Sequence, residues 1–129
     1  PTVPPPAGKD EAWVQSIVRL EAAGMGVRLF RNNVGVLKDQ YNRPVRYGLA
    51  NDNPHLNAKL KSHDLIGWRR LTVPPAHVGT VIAQFVSREC KRPDWSWSGT
   101  DREVAQLAWA ELVTADGGDA KFTVGRGTL

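Results

Sequence analysis

Residues 81–91 have the sequence VIAQFVSRECK, which is the most continuous apolar run of the chain and ends in a Glu-Cys-Lys triplet. Apolar side chains occupy both faces of this run, as is typical of a central strand covered on two sides. Side chains alternate along a strand, so Glu89 and Lys91 are expected on one face and Cys90 on the other. A carboxylate and an ammonium held together there can bind a divalent cation and position a water beside it.

The other elements are predicted from hydropathy periods and chain breakers. Helices are expected over residues 10–23, capped by Asp10, and from Thr100 to the Gly117-Gly118 pair, where Thr100 and Glu103 form a capping box. Strands are expected over residues 27–34, 44–49, 63–68, 81–89 and 120–124, and residues 51–62 are expected to form a loop. The apolar stripe of the second helix is assigned to Val104, Leu107, Ala108 and Leu112. This order predicts a mixed α/β domain with a small central sheet.

Composition limits the class of protein. The 129 residues suffice for one domain, predicted over residues 9–129 behind a proline-rich tail at residues 1–8. A hydrophobic fraction of 41% excludes a disordered chain, and no apolar stretch approaches the ~18 residues of a membrane span. The single cysteine excludes an internal disulfide framework and a cysteine-based zinc cluster, and it suits a reducing compartment.

Positive charge is concentrated between residues 28 and 70. This stretch has three acidic residues, whereas its basic residues are Arg28, Arg31, Lys38, Arg43, Arg46, Lys59, Lys61, Arg69 and Arg70. Such a block favours a polyanionic partner, because each neutralised phosphate releases counterions. The alternative interpretation is a solvated surface.

A second carboxylate, Asp64, stands where a neighbouring strand is expected to begin. Two carboxylates form an oxygen-rich site suited to magnesium or manganese, and with Lys91 they are the minimal equipment for metal-assisted phosphodiester hydrolysis. Glu-x-Lys is a weak pattern by itself, and the alternative interpretation is an ion pair at a strand end.

Five segments together resemble the PD-(D/E)xK nucleases, and among them the VRR-NUC (virus-type replication-repair nuclease) domains. They are residues 30–35 (FRNNVG), 64–68 (DLIGW), 89–91 (ECK), 106–109 (QLAW) and the Gly117-Gly118 pair. They cover most of the chain after the tail, in the family's order. The resemblance implies a restriction-endonuclease-like core in α-β-β-β-α-β order with an extra strand.

The resemblance also implies residue roles. Asp64 and Glu89 would bind Mg²⁺ or Mn²⁺, the Cys90 carbonyl would be an additional ligand, and Lys91 would orient or activate the attacking water. Gln106 matches a glutamine near the active site. Glu11 matches a first-helix glutamate of the metal region and is expected to point inward with Val14; alternatively it is a first-turn acid that answers the helix dipole.

Arg31, Asn32 and Asn33 match a segment that contacts the sugar-phosphate backbone or braces the metal site; alternatively the asparagines only end a strand. The generic candidates for phosphate contact are Arg43, Arg46, Lys59, Lys61, Arg69 and Arg70. His63 departs from the family pattern and is expected to point away from the site.

The tryptophans divide into two groups. Trp13, Trp68 and Trp109 are assigned to the core. Trp95 and Trp97 lie in an expected loop after the Glu-Cys-Lys triplet, where they either stack on an unpaired base or pack over the start of the helix. Packing is the favoured interpretation.

The expected function is a Mg²⁺- or Mn²⁺-dependent DNA endonuclease that acts on branched DNA such as Holliday junctions or flaps. The resemblance to small phage resolvases implies a homodimer in the cytoplasm of a bacterial or phage-infected cell. Two alternatives remain. One is a histidine-based ββα-metal nuclease using His55, Asn57 and His63, and the other is a basic nucleic-acid-binding module without catalysis.

Overall fold

The computed structural model describes residues 10–73 and 75–129, so the predicted tail at residues 1–8 and the predicted break at Pro74 lie outside the described residues. The elements in chain order are α1 (Glu11–Gly24), β1 (Val27–Arg31), β2 (Gly35–Lys38), β3 (Pro44–Tyr47), α2 (Pro54–Lys59), β4 (Leu65–Val73), β5 (Thr80–Cys90), α3 (Asp101–Ala115) and β6 (Asp119–Thr123). None of the helices in these ranges is long and apolar enough to cross a membrane.

The central sheet has four strands in the order β1-β4-β5-β6. The first three are antiparallel neighbours, and β6 runs parallel to β5, with α3 as the crossover between them. Strands β2 and β3 form a separate antiparallel hairpin. The prediction of a mixed α/β protein with a small central sheet is therefore confirmed.

Helix α1 covers one face of this sheet. Its residues Val14, Val18 and Ala22 are fully buried and recur every four positions, so they form one stripe that packs against Leu65 and Val86. The predicted cap is also confirmed, because the Asp10 carboxylate accepts a hydrogen bond of 3.1 Å from the Trp13 N–H.

Helix α3 covers the opposite face. Val86 packs in the α1 core, so the next residue, Ser87, points the other way, where its hydroxyl accepts a 2.9 Å hydrogen bond from Trp109 Nε1. The predicted stripe is wrong at Val104 and Leu112, which are about half exposed. The buried residues are instead Glu103, Ala105, Gln106 and Ala110. Small alanines allow close approach to the sheet, and the two polar side chains are buried because they have hydrogen-bond partners there.

Strands β4 and β5 extend beyond the two helices. Only the last five residues of β5 are all buried, and Val81 and Ile82 are nearly half exposed. The prediction that this strand is covered on both sides is therefore wrong for its first half. Trp68 on β4 is 42% exposed, contrary to its assignment to the core, and packs on Phe30 with ring centroids 5.5 Å apart.

The predicted loop at residues 51–62 contains α2. Pro54 is the first helical residue, where its missing N–H costs nothing, and the Asn53 side chain caps the helix by accepting a 2.8 Å bond from the Leu56 N–H. The strand predicted over residues 27–34 ends at Arg31, and the strand predicted over residues 44–49 ends at Tyr47.

Candidate active site

Two acidic side chains meet at one end of the sheet. Asp64 immediately precedes β4, and the pairing of Leu65 with Arg88 brings it beside Glu89 on β5. Asp64 Oδ2 accepts a 3.0 Å hydrogen bond from the Cys90 N–H, and the carboxyl groups of Asp64 and Glu89 are hydrogen-bonded to each other. The backbone pairing of two strands therefore fixes both acids.

Asp64 disfavours the ionised form of Glu89. Burial raises the pKa of Glu89 far above its ordinary value; the hydrogen bond with Asp64 and the charge of Asp64 raise it further, and the charges of Lys91 and Arg102 only partly oppose this. A bound cation would relieve this repulsion, and carboxylate oxygens are ligands that Mg²⁺ and Mn²⁺ prefer. Across residues 10–73 and 75–129, no group of three or more His, Cys, Asp or Glu could hold a metal ion. The structure brings together two carboxylates at this end of the sheet, those of Asp64 and Glu89.

Lys91 directly follows β5 and lies on the same side as Glu89, as strand alternation predicts. Its Nζ lies 3.9 Å from Glu89 Oε2 and donates a 2.8 Å hydrogen bond to Gln106 Oε1. Lys91 and Gln106 are only 6% and 2% exposed. The ammonium is therefore held on one side by a strand neighbour and on the other by helix α3.

Two aromatic rings complete the surroundings of Lys91. Its Nζ lies 5.8 Å from the ring centre of Trp95 and 5.7 Å from that of Phe122. Trp95 stacks on Phe122 at 5.2 Å, and its Nε1 donates a 2.7 Å hydrogen bond to Glu103 in the first turn of α3. Trp95 thus packs over the start of the helix, as favoured from the sequence, whereas Trp97 is 47% exposed.

His63 lies behind the acids in a buried hydrogen-bond network. Burial lowers its pKa to about 4, so the ring is neutral near pH 7. Its Nε2 donates to the Gln106 carbonyl at 3.0 Å, because a carbonyl only accepts, and its Nδ1 accepts from Ser87 Oγ at 2.7 Å. His63 thus points away from the acids, as predicted, and fixes the backbone of Gln106.

Asn32 ties β1 to the segment before Asp64. Its Nδ2 donates 2.8 Å hydrogen bonds to Ser62 Oγ and to the His63 carbonyl, and its backbone N–H donates to the Asp64 carbonyl at 2.7 Å. The sequence left two interpretations of Asn32 open, a role at the site and an asparagine that only ends a strand. These contacts correspond to the first, because they hold the segment before Asp64.

A cleft of about 230 Å³ lies next to Asp64 and Glu89, between the β2–β3 hairpin and the two helices α2 and α3. Asp64, Glu89 and Gln106 line it, together with the cations Arg46, Lys61 and Arg102. A second depression, of about 390 Å³, shares Asn32, Val34 and Asp64 with the first and is also lined by Arg31 and Asn33. Five of the nine residues predicted to contact DNA thus line one or both depressions: Arg31, Asn32, Asn33, Arg46 and Lys61.

The other predicted basic residues lie elsewhere. Arg43 forms a 2.9 Å ion pair with Asp39 in the hairpin turn. Arg69 forms a 2.6 Å ion pair with Asp119, while Lys59 and Arg70 are not among the residues that line either depression.

Sequence analysis missed two residues that shape the cleft. Arg102 lies four positions before Gln106 on α3, so helical spacing could have placed both on one face. Asn51 is buried, and its Nδ2 donates 2.8 Å hydrogen bonds to the carbonyls of Gly35 and Tyr47, which holds the hairpin wall in place. No periodic signal identifies such a residue, because its partners are backbone groups of another element.

Glu11 and Cys90 lie at the edge of the site. Glu11 is exposed in the first turn of α1 instead of pointing inward, which corresponds to the helix-dipole interpretation. Its charge still reaches Cys90: burial raises the pKa of that thiol, and the charges of Asp64, Glu89 and Glu11 raise it further. The Cys90 side chain lies in the core with Val14, opposite Glu89, as alternation predicts.

Comparisons of this chain with models of protein families, with curated proteins and with solved structures found no match. Its function is therefore inferred from the arrangement of its own residues.

Proposed function

We propose that this protein is a metal-dependent DNA endonuclease with a restriction-endonuclease-like core of the PD-(D/E)xK type. The observation that carries the proposal is the meeting of Asp64, Glu89 and Lys91 at the ends of two paired strands. Two carboxylates that disfavour joint ionisation suit a divalent cation, and a lysine 3.9 Å from one of them suits a reaction at a phosphate.

In the proposed mechanism, Asp64 and Glu89 would bind Mg²⁺ or Mn²⁺, and the Cys90 carbonyl would be an additional ligand. The bound cation would offset negative charge on the attacking and leaving oxygens. Lys91 orients the attacking water and is itself kept in place by Gln106. The neutral His63 has both ring nitrogens in hydrogen bonds, which disfavours the histidine-based alternative.

The proposed substrate is DNA, with a preference for branched forms such as flaps and four-way junctions. The cations of the cleft support a polyanionic partner, because they lie beside the acids and not on a remote surface. The homodimer and the cytoplasmic location implied by the family resemblance remain part of the proposal.

A cleavage assay tests the proposal. The purified protein is incubated with linear, flap and four-way DNA in Mg²⁺ or Mn²⁺, together with the variants Asp64→Asn, Glu89→Gln and Lys91→Ala. We expect cleavage by the unaltered protein and none above background by the variants, with DNA binding retained. Lys121→Ala is the matched control, because Lys121 is an exposed lysine of β6 that does not line the cleft.

Two outcomes would contradict the proposal. Absence of cleavage with either metal, with DNA binding intact, would leave the non-catalytic binding module. Full activity of Asp64→Asn and Lys91→Ala combined with loss of activity in His55→Ala or His63→Ala would favour the histidine-based nuclease.

A further inference from the structure

One wall of the cleft carries three cations that form no ion pair within 4.0 Å among the described residues. Arg46, Lys61 and Arg102 all line the cleft. Among the described residues 10–73 and 75–129, the ion pairs within 4.0 Å involve Arg43, Arg69, Arg88, Lys91 and Arg92, and none involves these three. By contrast, Arg69 on β4 and Arg88 on β5 both form an ion pair with the carboxylate of Asp119.

The three cations lie close enough to repel one another. Burial lowers the pKa of Lys61, and the positive charges of Arg102 and Arg46 lower it further. Like charges that are held close together repel one another, so a cluster of cations beside the proposed catalytic acids is expected where an anion binds.

Neutral side chains hold two of these cations in position. Lys61 Nζ donates a 2.6 Å hydrogen bond to Asn57 Oδ1 on α2. Arg46 donates through Nε to the Asn51 carbonyl at 2.8 Å and through one terminal nitrogen to Asn51 Oδ1 at 2.7 Å. Because these partners are amides and carbonyls, they orient the side chains and leave their charge uncompensated. Guanidinium groups with further N–H donors suit the oxygens of a phosphate.

We infer that Arg46, Lys61 and Arg102 form a subsite for a backbone phosphate of the nucleic acid strand next to the phosphate that is cleaved. The inference rests on the proposed function, since it takes Asp64 and Glu89 as the place of hydrolysis. The subsite shares the 230 Å³ cleft with these acids, and it is separate from the proposed catalytic residues. A nucleic acid strand that leaves the subsite passes Asp64 and reaches the second depression, which Arg31 lines.

Binding to the metal-free protein tests the subsite without relying on cleavage. In EDTA, calorimetry compares the thymidine dinucleotide dTpT with its 5′-phosphorylated form. We expect the added phosphate to strengthen binding about tenfold, and we expect Lys61→Gln and Arg102→Gln to remove this gain. Lys121→Gln is the matched control, because Lys121 is an exposed lysine of β6 that does not line the cleft, and it should keep the gain. Circular dichroism verifies that each variant is folded.

The results separate the subsite from the proposed function. An equal affinity for the two dinucleotides, or an unchanged gain in both cleft variants, would overturn the subsite even if the protein cleaves DNA. An equal loss of the gain in Lys121→Gln would show that the effect comes from the overall charge of the protein and would also overturn the subsite. A phosphate gain that depends on Lys61 and Arg102 in a protein that does not cleave would support the phosphate subsite and contradict the endonuclease.

Discussion

Gln106 is the residue on which the position of Lys91 most directly depends. Its Oε1 accepts from Nζ at 2.8 Å, while its backbone carbonyl accepts from His63. We predict that Gln106→Leu lowers kcat about 10- to 100-fold, because a hydrogen bond to a charged group is worth about 1.5–3 kcal/mol. KM should change little, since the ammonium loses its orientation and the cleft keeps its charge.

Steady-state cleavage of a flap substrate measures this effect. The matched control is Gln40→Leu, which alters an exposed glutamine in the hairpin turn and should keep the activity of the unaltered protein. A Gln106→Leu enzyme with unchanged kcat would show that Lys91 needs no such support.

Trp95 links the site to the start of α3. It stacks on Phe122 and donates to Glu103, so Trp95→Leu should reduce the free energy of unfolding by about 1–3 kcal/mol through loss of the ring pair and the hydrogen bond. Trp97→Leu should cost less, because that side chain is 47% exposed. Denaturant unfolding followed by circular dichroism compares the two, and equal losses would contradict the structural role of Trp95.

For single residues, the sequence correctly predicted the side-chain directions that strand alternation controls. Glu89 and Lys91 share a face because they are two positions apart, and Cys90 points into the core for the same reason. Asn51 was not found, since its importance arises from contacts with backbone groups of the hairpin. Arg102 was also missed, although its spacing from Gln106 on α3 is a local signal. The inward orientation expected for Glu11 was wrong, because its place in the first turn leaves the side chain in solvent.

Helix α3 begins with a capping box whose carboxylate is strongly acidic. Hydrogen bonding from the Thr100 backbone is the main cause that lowers the pKa of Glu103 to about 2 from its ordinary 4.5, against burial, and Trp95 and Ser98 donate further bonds. A depressed pKa stabilises the folded state above the unfolded value, and this contribution is lost as the pH falls from about 4.5 through about 2.

We therefore predict a steeper loss of unfolding free energy between pH 5 and pH 2 in the unaltered protein than in Glu103→Gln. Chemical denaturation at several pH values measures both slopes. Glu111→Gln, which changes an exposed glutamate of the same helix, should retain the steeper slope. Parallel curves for the unaltered protein and Glu103→Gln would contradict the assignment.

Gly67 lies on β4 opposite Leu29 of β1. A Cβ atom at this position would collide with the Arg28 carbonyl oxygen of the neighbouring strand. Gly67→Ala should therefore lower the free energy of unfolding by about 1–3 kcal/mol, as overpacking does. Gly24→Ala at the end of α1 meets open space and should be close to neutral, and an equal effect of the two in denaturant titration would contradict this packing.

At the element scale, the sequence signals that succeeded were local ones. The caps at Asp10 and Thr100 and the glycines after Ala115 placed α1 and α3 within one or two residues. The short helix α2 was missed because Pro54 was interpreted as a breaker, although proline is favoured in the first helical position. The buried face of α3 was predicted wrongly because it includes the polar residue Gln106, which is buried through its hydrogen bond with Lys91. Apolar periodicity cannot reveal such a partner.

The whole molecule places its acids in a walled cleft and its excess cations along the same opening. A DNA strand that can separate from its complementary strand reaches such a cleft more easily than a DNA strand in a continuous duplex. We predict that cleavage of flap or four-way DNA exceeds cleavage of a linear duplex of the same sequence by about tenfold or more in kcat/KM. Equal rates on the matched substrates would contradict this preference.

The mixed α/β class with a small central sheet was predictable from the order of elements, whereas the exposed ends of β4 and β5 were not. Val81 and Ile82 have the hydropathy of core residues, but neither helix is long enough to cover them. Burial of a strand depends on the lengths and positions of the helices that pack on it, and the hydropathy pattern of the strand itself does not contain this information.

Mn²⁺ binding measured by calorimetry tests most directly whether Asp64 and Glu89 form one cation site. The account predicts one Mn²⁺ per chain and release of a proton on binding near pH 7, because the neutral carboxyl of Glu89 must ionise to become a ligand. Asp64→Asn and Glu89→Gln should both abolish the binding, and Asp52→Asn, outside the cleft, should not. Mn²⁺ binding of unchanged affinity in Asp64→Asn and Glu89→Gln, or no binding by the unaltered protein at millimolar Mn²⁺, would contradict the account.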